Sequence, residues 1–242
     1  YYGLSGSFGF GAGVAEALDP EGRGKHNSHI VDARYDLSLF GNDETTVNVW
    51  WQEKHSEFPF TIFPAGAVLP IGSDGNLDFV APTTVALFED GYIGVPSNDS
   101  QLGQASITSI FEPIPDHTVR WQLGVEYHKH SPSEQKNFGP GVLTGTETFV
   151  FGRLTDVSGT PYAYLPEKSR NITFLSVQDT WQLTEDIALH LGGRYDDYSD
   201  FGSTVNPRLG IVWQTTEDLT LKLLSATAYR APSFYDRYAD NN

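Results

Sequence analysis

The chain has 242 residues, 24 of them glycine and 13% aromatic, and contains no cysteine, so a disulfide framework, a thiolate metal site and a cysteine nucleophile are all excluded. Its 31 acidic against 15 basic residues give a formal net charge of -16, which repels nucleic-acid phosphates and argues against a nucleic-acid partner. No run reaches the ~18 consecutive apolar residues of a transmembrane helix, and the mean hydropathy of -0.32 suits either a soluble protein or strands that show an apolar side chain only at every second position.

Alternation is the strongest local signal, and nine segments carry it. The first places Tyr2, Leu4, Phe8, Phe10 and Val14 on one parity against glycine and serine on the other. The second sets Val31, Ala33, Tyr35, Leu37 and Leu39 against Asp32, Arg34, Asp36 and Ser38, and the third sets Val47, Val49 and Trp51 against Thr46, Asn48, Trp50 and Gln52. A weaker fourth covers Ala105, Ile107, Ser109 and Phe111. The fifth is the clearest, with Val119, Trp121, Leu123, Val125 and Tyr127 opposing Arg120, Gln122, Gly124, Glu126 and His128. In the sixth, Leu175, Val177, Trp181 and Leu183 share a parity that Asp179 interrupts. The seventh reads Ile187, Leu189, Leu191, Gly193 and Tyr195, the eighth Leu209, Ile211 and Trp213, and the ninth Leu219, Leu221 and Leu223. No segment reads as a helix.

The connections alternate in kind. Short turns are expected at 41–44, 112–116, 184–186 and 214–218, and long Gly-, Pro-, Ser- and Asn-rich excursions at 15–28, 56–102 and 131–169. Two of these exceed the ~12 to 15 residues beyond which loops are uncommon in compact soluble domains. Transmembrane barrels have short periplasmic turns at one rim and long extracellular loops at the other, so the strand from Tyr2 is expected to run outward, as does every odd-numbered strand. Tyr127, Tyr195 and Tyr229 then fall at outer girdle positions, and Trp181 and Trp213 at inner ones. The expected fold is all-β: an antiparallel up-and-down transmembrane β-barrel, partial, with about nine strands of a larger barrel. The chain opens on Tyr1 without a leader and closes on a loop-like Asn241 and Asn242, which reads as a fragment.

Five consecutive motifs carry a family resemblance: SVQDTWQL (176–183), LGGRYDD (191–197), VNPRL (205–209), WQTTEDL (213–219) and AYRAPSF (228–234). In this order and at hairpin spacing, they resemble the barrel of TonB-dependent outer-membrane receptors; residues 1–170 match only in style. The resemblance implies a plugged barrel of roughly 22 strands in the bacterial outer membrane. It also implies capture of a scarce nutrient, foremost a ferric siderophore or other iron complex, and import with energy from the TonB complex. Lipid and lipopolysaccharide would surround it, and no cofactor is implied. A passive porin-like channel and a soluble secreted β-sandwich are the alternatives.

Candidate ligand-binding residues are His128 and His130 together with the loop aromatics Phe58, Phe60, Phe63, Tyr92, Tyr162 and Tyr164, whose rigid faces suit planar ligands but serve equally to pack loop on loop. His128 and His130 share a parity above Glu126, a spacing that could address a metal but lacks ligands from another strand, so no metal site is assigned. The same holds for Asp196, Asp197 and Asp200, which lack the spacing of a calcium loop. Arg194, Asp196, Arg208 and Arg230 are expected to form an inward charge ladder that holds strands in register, with contact to an anionic ligand or the plug as the alternative. No Gly-x-Ser-x-Gly elbow, zinc-protease motif or phosphate loop occurs, so an enzyme is not expected.

Overall fold

The computed structural model describes residues 2–9, 23–39, 41 and 43–239, and side chains from 24 onward. Nine strands follow one another as an antiparallel meander: β1 (Tyr2–Gly9), β2 (Arg23–Leu37), β3 (Glu44–Glu57), β7 (Tyr92–Phe111), β8 (His117–Lys136), β11 (Lys168–Thr184), β12 (Ile187–Tyr198), β13 (Gly202–Thr216) and β14 (Leu219–Ala226). Each holds all or most of one of the nine alternating segments. Residues 10–14 of the first, and 15–22 of the loop expected after it, lie outside the described residues.

Alternation divides the sheet into two faces. Val31, Val49, Leu123, Val125, Leu175, Leu191, Leu209 and Leu221 are all exposed on one of them. The opposite parity carries Arg34, Asn48, Gln104, Glu126, Arg194 and Asn206. This is a single layer: the other sheet among the described residues has only three short strands, so no sandwich core exists. Large apolar side chains open to the surroundings are stable only where those surroundings are apolar too, as at the outside of a membrane barrel.

The strands run further at the loop end than alternation indicates. Residues 92–102 and 131–136 belong to β7 and β8, 23–28 to β2 and 168–169 to β11, so the excursions expected at 56–102 and 131–169 shorten to 58–91 and 137–167. Above the apolar band both faces meet polar surroundings and the two-residue period vanishes, but the backbone ladder continues from Ser97↔Glu57 on one side to Val95↔Gln135 on the other. Pro96 falls where pairing with β3 has ended and β4 (Phe60–Phe63) takes over at Gly94↔Phe60, the kind of break where a missing N–H is tolerated. At this same end, β12 and β13 are joined by the tight turn 199–201.

The two longest connections fold together. β5 (Ala67–Ile71), β6 (Thr84–Phe88) and β9 (Phe149–Val150) form the three-stranded sheet, β9 lying parallel to β6, and β10 (Thr155–Asp156) pairs with β8. Leu69, Ile71, Phe88, Tyr92, Leu143 and Val150 make the core of this loop unit. Asn137, almost wholly buried, ties it to the wall: its Oδ1 accepts from the Ile93 N–H at 2.8 Å and its Nδ2 donates to the Gly91 carbonyl at 2.8 Å.

After β14 the chain forms a one-turn helix, α1 (Phe234–Tyr238), where no helix was expected. A capping box stabilises it: Ser233 Oγ accepts from the Asp236 N–H, and the Asp236 carboxylate accepts from the Ser233 N–H.

Candidate functional site

The polar face of β8, β11 and β12 and the loop-end rim above it bring together two clusters of charged and aromatic side chains. Register sets the arrangement. Gly124 on β8, Phe174 on β11 and Asp196 on β12 lie in one row. A Cβ on Gly124 would come within 2.5 Å of the Phe174 ring, so glycine there lets the ring lie flat and become buried. Arg194 then stacks over that ring, its guanidinium carbon 4.0 Å from the centroid, and reaches carboxylates on both sides: Asp196 at 2.7 Å and Glu126, two strands away, at 3.5 Å. His128 Nε2 lies 3.4 Å from the other oxygen of Glu126.

At the rim a second cluster holds α1. Arg170, 4% exposed, makes a two-pronged bond to Asp200, both contacts 2.8 Å, and its remaining nitrogen donates to the Pro232 carbonyl at 2.9 Å. Phe201 and Phe234 flank the guanidinium at 4.9 and 5.0 Å. Arg237 lies 3.9 Å from Asp200, and the Tyr238 hydroxyl donates to the same carboxylate at 3.4 Å. Burial alone would push the Asp200 carboxyl upward; hydrogen bonds and charge from Arg170, with the charge of Arg237, outweigh it and hold the group below the ordinary aspartate value.

The expected charge ladder is therefore changed. Arg194 and Asp196 pair as anticipated in kind, but on one strand, and the reach across strands goes to Glu126. Arg208 donates to Ser176 Oγ at 3.3 Å, and Arg230 lies in the segment after β14, on no strand, because pairing with β13 stops at Ala226↔Arg208. Tyr229, expected in the outer girdle, lies in that same segment and packs on Tyr198 and Phe201.

The loop aromatics separate into two groups. Tyr92 is buried, stacked on Phe138 at 3.8 Å and set edge-on to Phe63, and Phe60 lies over Gly94; these three build the loop unit, and Phe58 is half-buried beside it. Tyr162 and Tyr164 are exposed, with Tyr235 of α1 6.4 Å from Tyr164. His130 diverges from His128. It is buried between Phe234 and Tyr235, with no hydrogen-bond partner for its Nε2. Among the described residues no three His, Asp or Glu side chains converge as metal ligands. Arg170, Phe174, Phe201 and Tyr235 were not singled out from sequence; the Ser233-x-x-Asp236 spacing is a local sign of the helix that carries Tyr235 and meets Arg170 and Phe201, whereas Phe174 is placed by its register with Gly124.

The whole chain, residues 1–242, matches the family model described as TonB dependent receptor-like, beta-barrel. The chain belongs to that family. The match extends well beyond the motifs of residues 176–234. Among relatives of this TonB-dependent receptor barrel, the ferrienterobactin receptor of Escherichia coli (strain K12) is 32% identical over 113 residues, 47% of this chain and 14% of that protein. An iron-regulated outer membrane virulence protein of Vibrio cholerae is 28% identical over 149 residues, 59% of this chain and 19% of its own length. The crystal structure of a ferric enterobactin receptor from Pseudomonas aeruginosa has the same fold, with a TM-score of 0.50 at 17% identity, covering 88% of this chain and 26% of that one. The chain thus spans a minor part of these receptors. Its apolar face is the lipid face of an outer-membrane barrel and its polar face the lumen side; proteins of this family are receptors and transporters, not enzymes.

Proposed function

We propose that the chain supplies part of the wall and two ligand-facing extracellular loops of a receptor that captures a ferric siderophore of the catecholate class and imports it with TonB-derived energy. The observation that carries this is the rim itself. Tyr164 and Tyr235 present exposed aromatic surface side by side, Tyr162 is exposed on the same connection as Tyr164, and Lys168 and Arg237 lie close by against Tyr238 of α1. Aromatic faces with cations nearby suit a planar, anionic iron chelate. Enterobactin appears in the names of two of the relatives, which supports the same ligand class.

Tryptophan-quenching titrations of the intact receptor with ferric catecholate, ferric hydroxamate, cobalamin and an oligosaccharide test the assignment. Saturable binding of the ferric catecholate alone is expected, and Tyr164→Ala should weaken it by about tenfold, a loss of roughly 1.4 kcal/mol. Binding of cobalamin or oligosaccharide with no response to any iron chelate would remove the ligand class. Uptake that persists after collapse of the proton-motive force would remove the energy coupling.

A further inference from the structure

Two of the rim tyrosines sit on a stretch of chain that has no strand to hold it. Residues 162–167 lie between β10 and β11 and pair with neither, yet their side chains alternate: Tyr162 and Tyr164 are exposed, Ala163 and Leu165 buried. In a sheet the backbone ladder fixes such alternation. Here two side chains of β8 take its place.

Glu134 and Lys136 are two residues apart on β8 and so share a face. Glu134 Oε2 accepts from the Tyr164 N–H at 2.7 Å, and Lys136 Nζ donates to the Tyr162 carbonyl at 2.9 Å. The two also pair with each other, Lys136 Nζ lying 3.0 Å from Glu134 Oε1, so each carboxylate oxygen has its own partner. Both are withdrawn from solvent, with 1% of the lysine side chain and 13% of the glutamate exposed, and the Phe138 ring lies 5.6 Å from the ammonium. Gly141 provides the seat for the first ring. Its φ is +79°, and a Cβ there would come within 2.4 Å of the Tyr162 side chain.

We infer that Glu134 and Lys136 are positioning residues for ligand capture, acting through the backbone of residues 162–164 to hold Tyr162 and Tyr164 outward. The inference rests on the reading of those tyrosines as contacts to the chelate. A buried ion pair is a weak source of stability, because removing both charges from water offsets their attraction. What it supplies is direction. An ammonium only donates and a carboxylate only accepts, so this clasp matches a carbonyl at 162 and an N–H at 164. A slip of one residue would break both bonds, turn Ala163 and Leu165 outward and bury the two rings. Rings already held in place lose little freedom when a ligand arrives, and that raises affinity.

The intact receptor labelled with fluorotyrosine gives two readouts. One is the fluorine resonances of Tyr162 and Tyr164 without ligand, identified by Tyr162→Phe and Tyr164→Phe; the other is affinity for a ferric catecholate by tryptophan quenching. Glu134→Gln combined with Lys136→Met removes both charges together, so no buried charge is left unpaired, and it takes from the Tyr162 carbonyl its donor on β8. Protease resistance of residues 137–167 verifies the folded loop unit. The Tyr162 resonance is expected to narrow and move toward that of free fluorotyrosine, and affinity to fall about tenfold. Glu134→Asp keeps both charges but is too short to reach Lys136 and the Tyr164 N–H together. It should move the Tyr164 resonance and lower affinity in the same direction, so the test survives if the double variant fails to fold. Wild-type resonances and affinity in a folded clasp variant overturn the inference and leave the pair a structural one. Failure of the ligand reading has a different signature: wild-type affinity in Tyr164→Ala, whereas failure of the clasp shows as unmoved resonances before any ligand is added.

Discussion

Leu123 on β8 and Phe88 on β6 are both large and apolar, yet Leu123 is 46% exposed and Phe88 is fully buried. Among the described residues the wall has no apolar core like that of the loop unit; its strands are held by long backbone ladders, interrupted only by register shifts at 182/184 and 214/216, and its apolar side chains depend on lipid as the second layer. The loop unit is the reverse, a small globule with short strands, a shared apolar core and a buried asparagine joining it to β7 and β8. One half of the molecule is therefore stable only in its solvent, whereas the other carries its own. Deleting Phe88 should separate the two most sharply. Phe88→Ala is expected to cost about 3–5 kcal/mol, all of it in the loop unit. In the intact receptor, residues 137–167 should become protease-sensitive while heat-modifiable migration of the barrel is unchanged. Loss of both together would show that wall and loops form one cooperative unit.

The complementary change is to the wall's solvent contact. Leu123→Arg, near the middle of the apolar band, should destabilise the barrel by about 2–4 kcal/mol in lipid. The same substitution one residue away, Gln122→Arg on the lumen side, should stay within about 0.5 kcal/mol. Urea titrations of receptor refolded into vesicles measure the difference, and equal costs for the two would contradict the assignment of faces.

What was legible in the sequence follows the same division. Every wall strand announced itself because lipid on one side and polar surroundings on the other impose a two-residue period, as in 119–128. Where that asymmetry ends, at 92–102, the signal ends too, although β7 continues through all of those residues on ladder bonds that leave no mark on side-chain pattern. The loop unit was invisible for another reason: its core pairs Phe88 with Leu143 and Val150 across long separations that periodicity cannot register. On the polar face below the rim, Arg194 and Asp196 could be read from one strand. The second partner of Arg194, Glu126, could not, because it lies two strands away and the reach passes over Phe174.

The joint between wall and rim gives the smallest and most graded effect. Asp200 is held below the ordinary aspartate value by Arg170 and Arg237, so the docked state of α1 binds fewer protons than the released state. Docking is thus fully supported above the ordinary carboxylate value of about 4 and is lost as pH falls through the lower value of the docked state. A nitroxide on Arg230→Cys, placed in a chain without other cysteines, reports this as a shift from restricted to mobile spectra. No change is expected between about pH 5 and 8, and mobility should rise only below about pH 4. Asp200→Asn keeps the shape but not the charge: its spectra should show weaker restriction at neutral pH and lose the acid step. An acid step that survives in Asp200→Asn would assign the joint to a different carboxylate, with Asp236 of the capping box the next to replace.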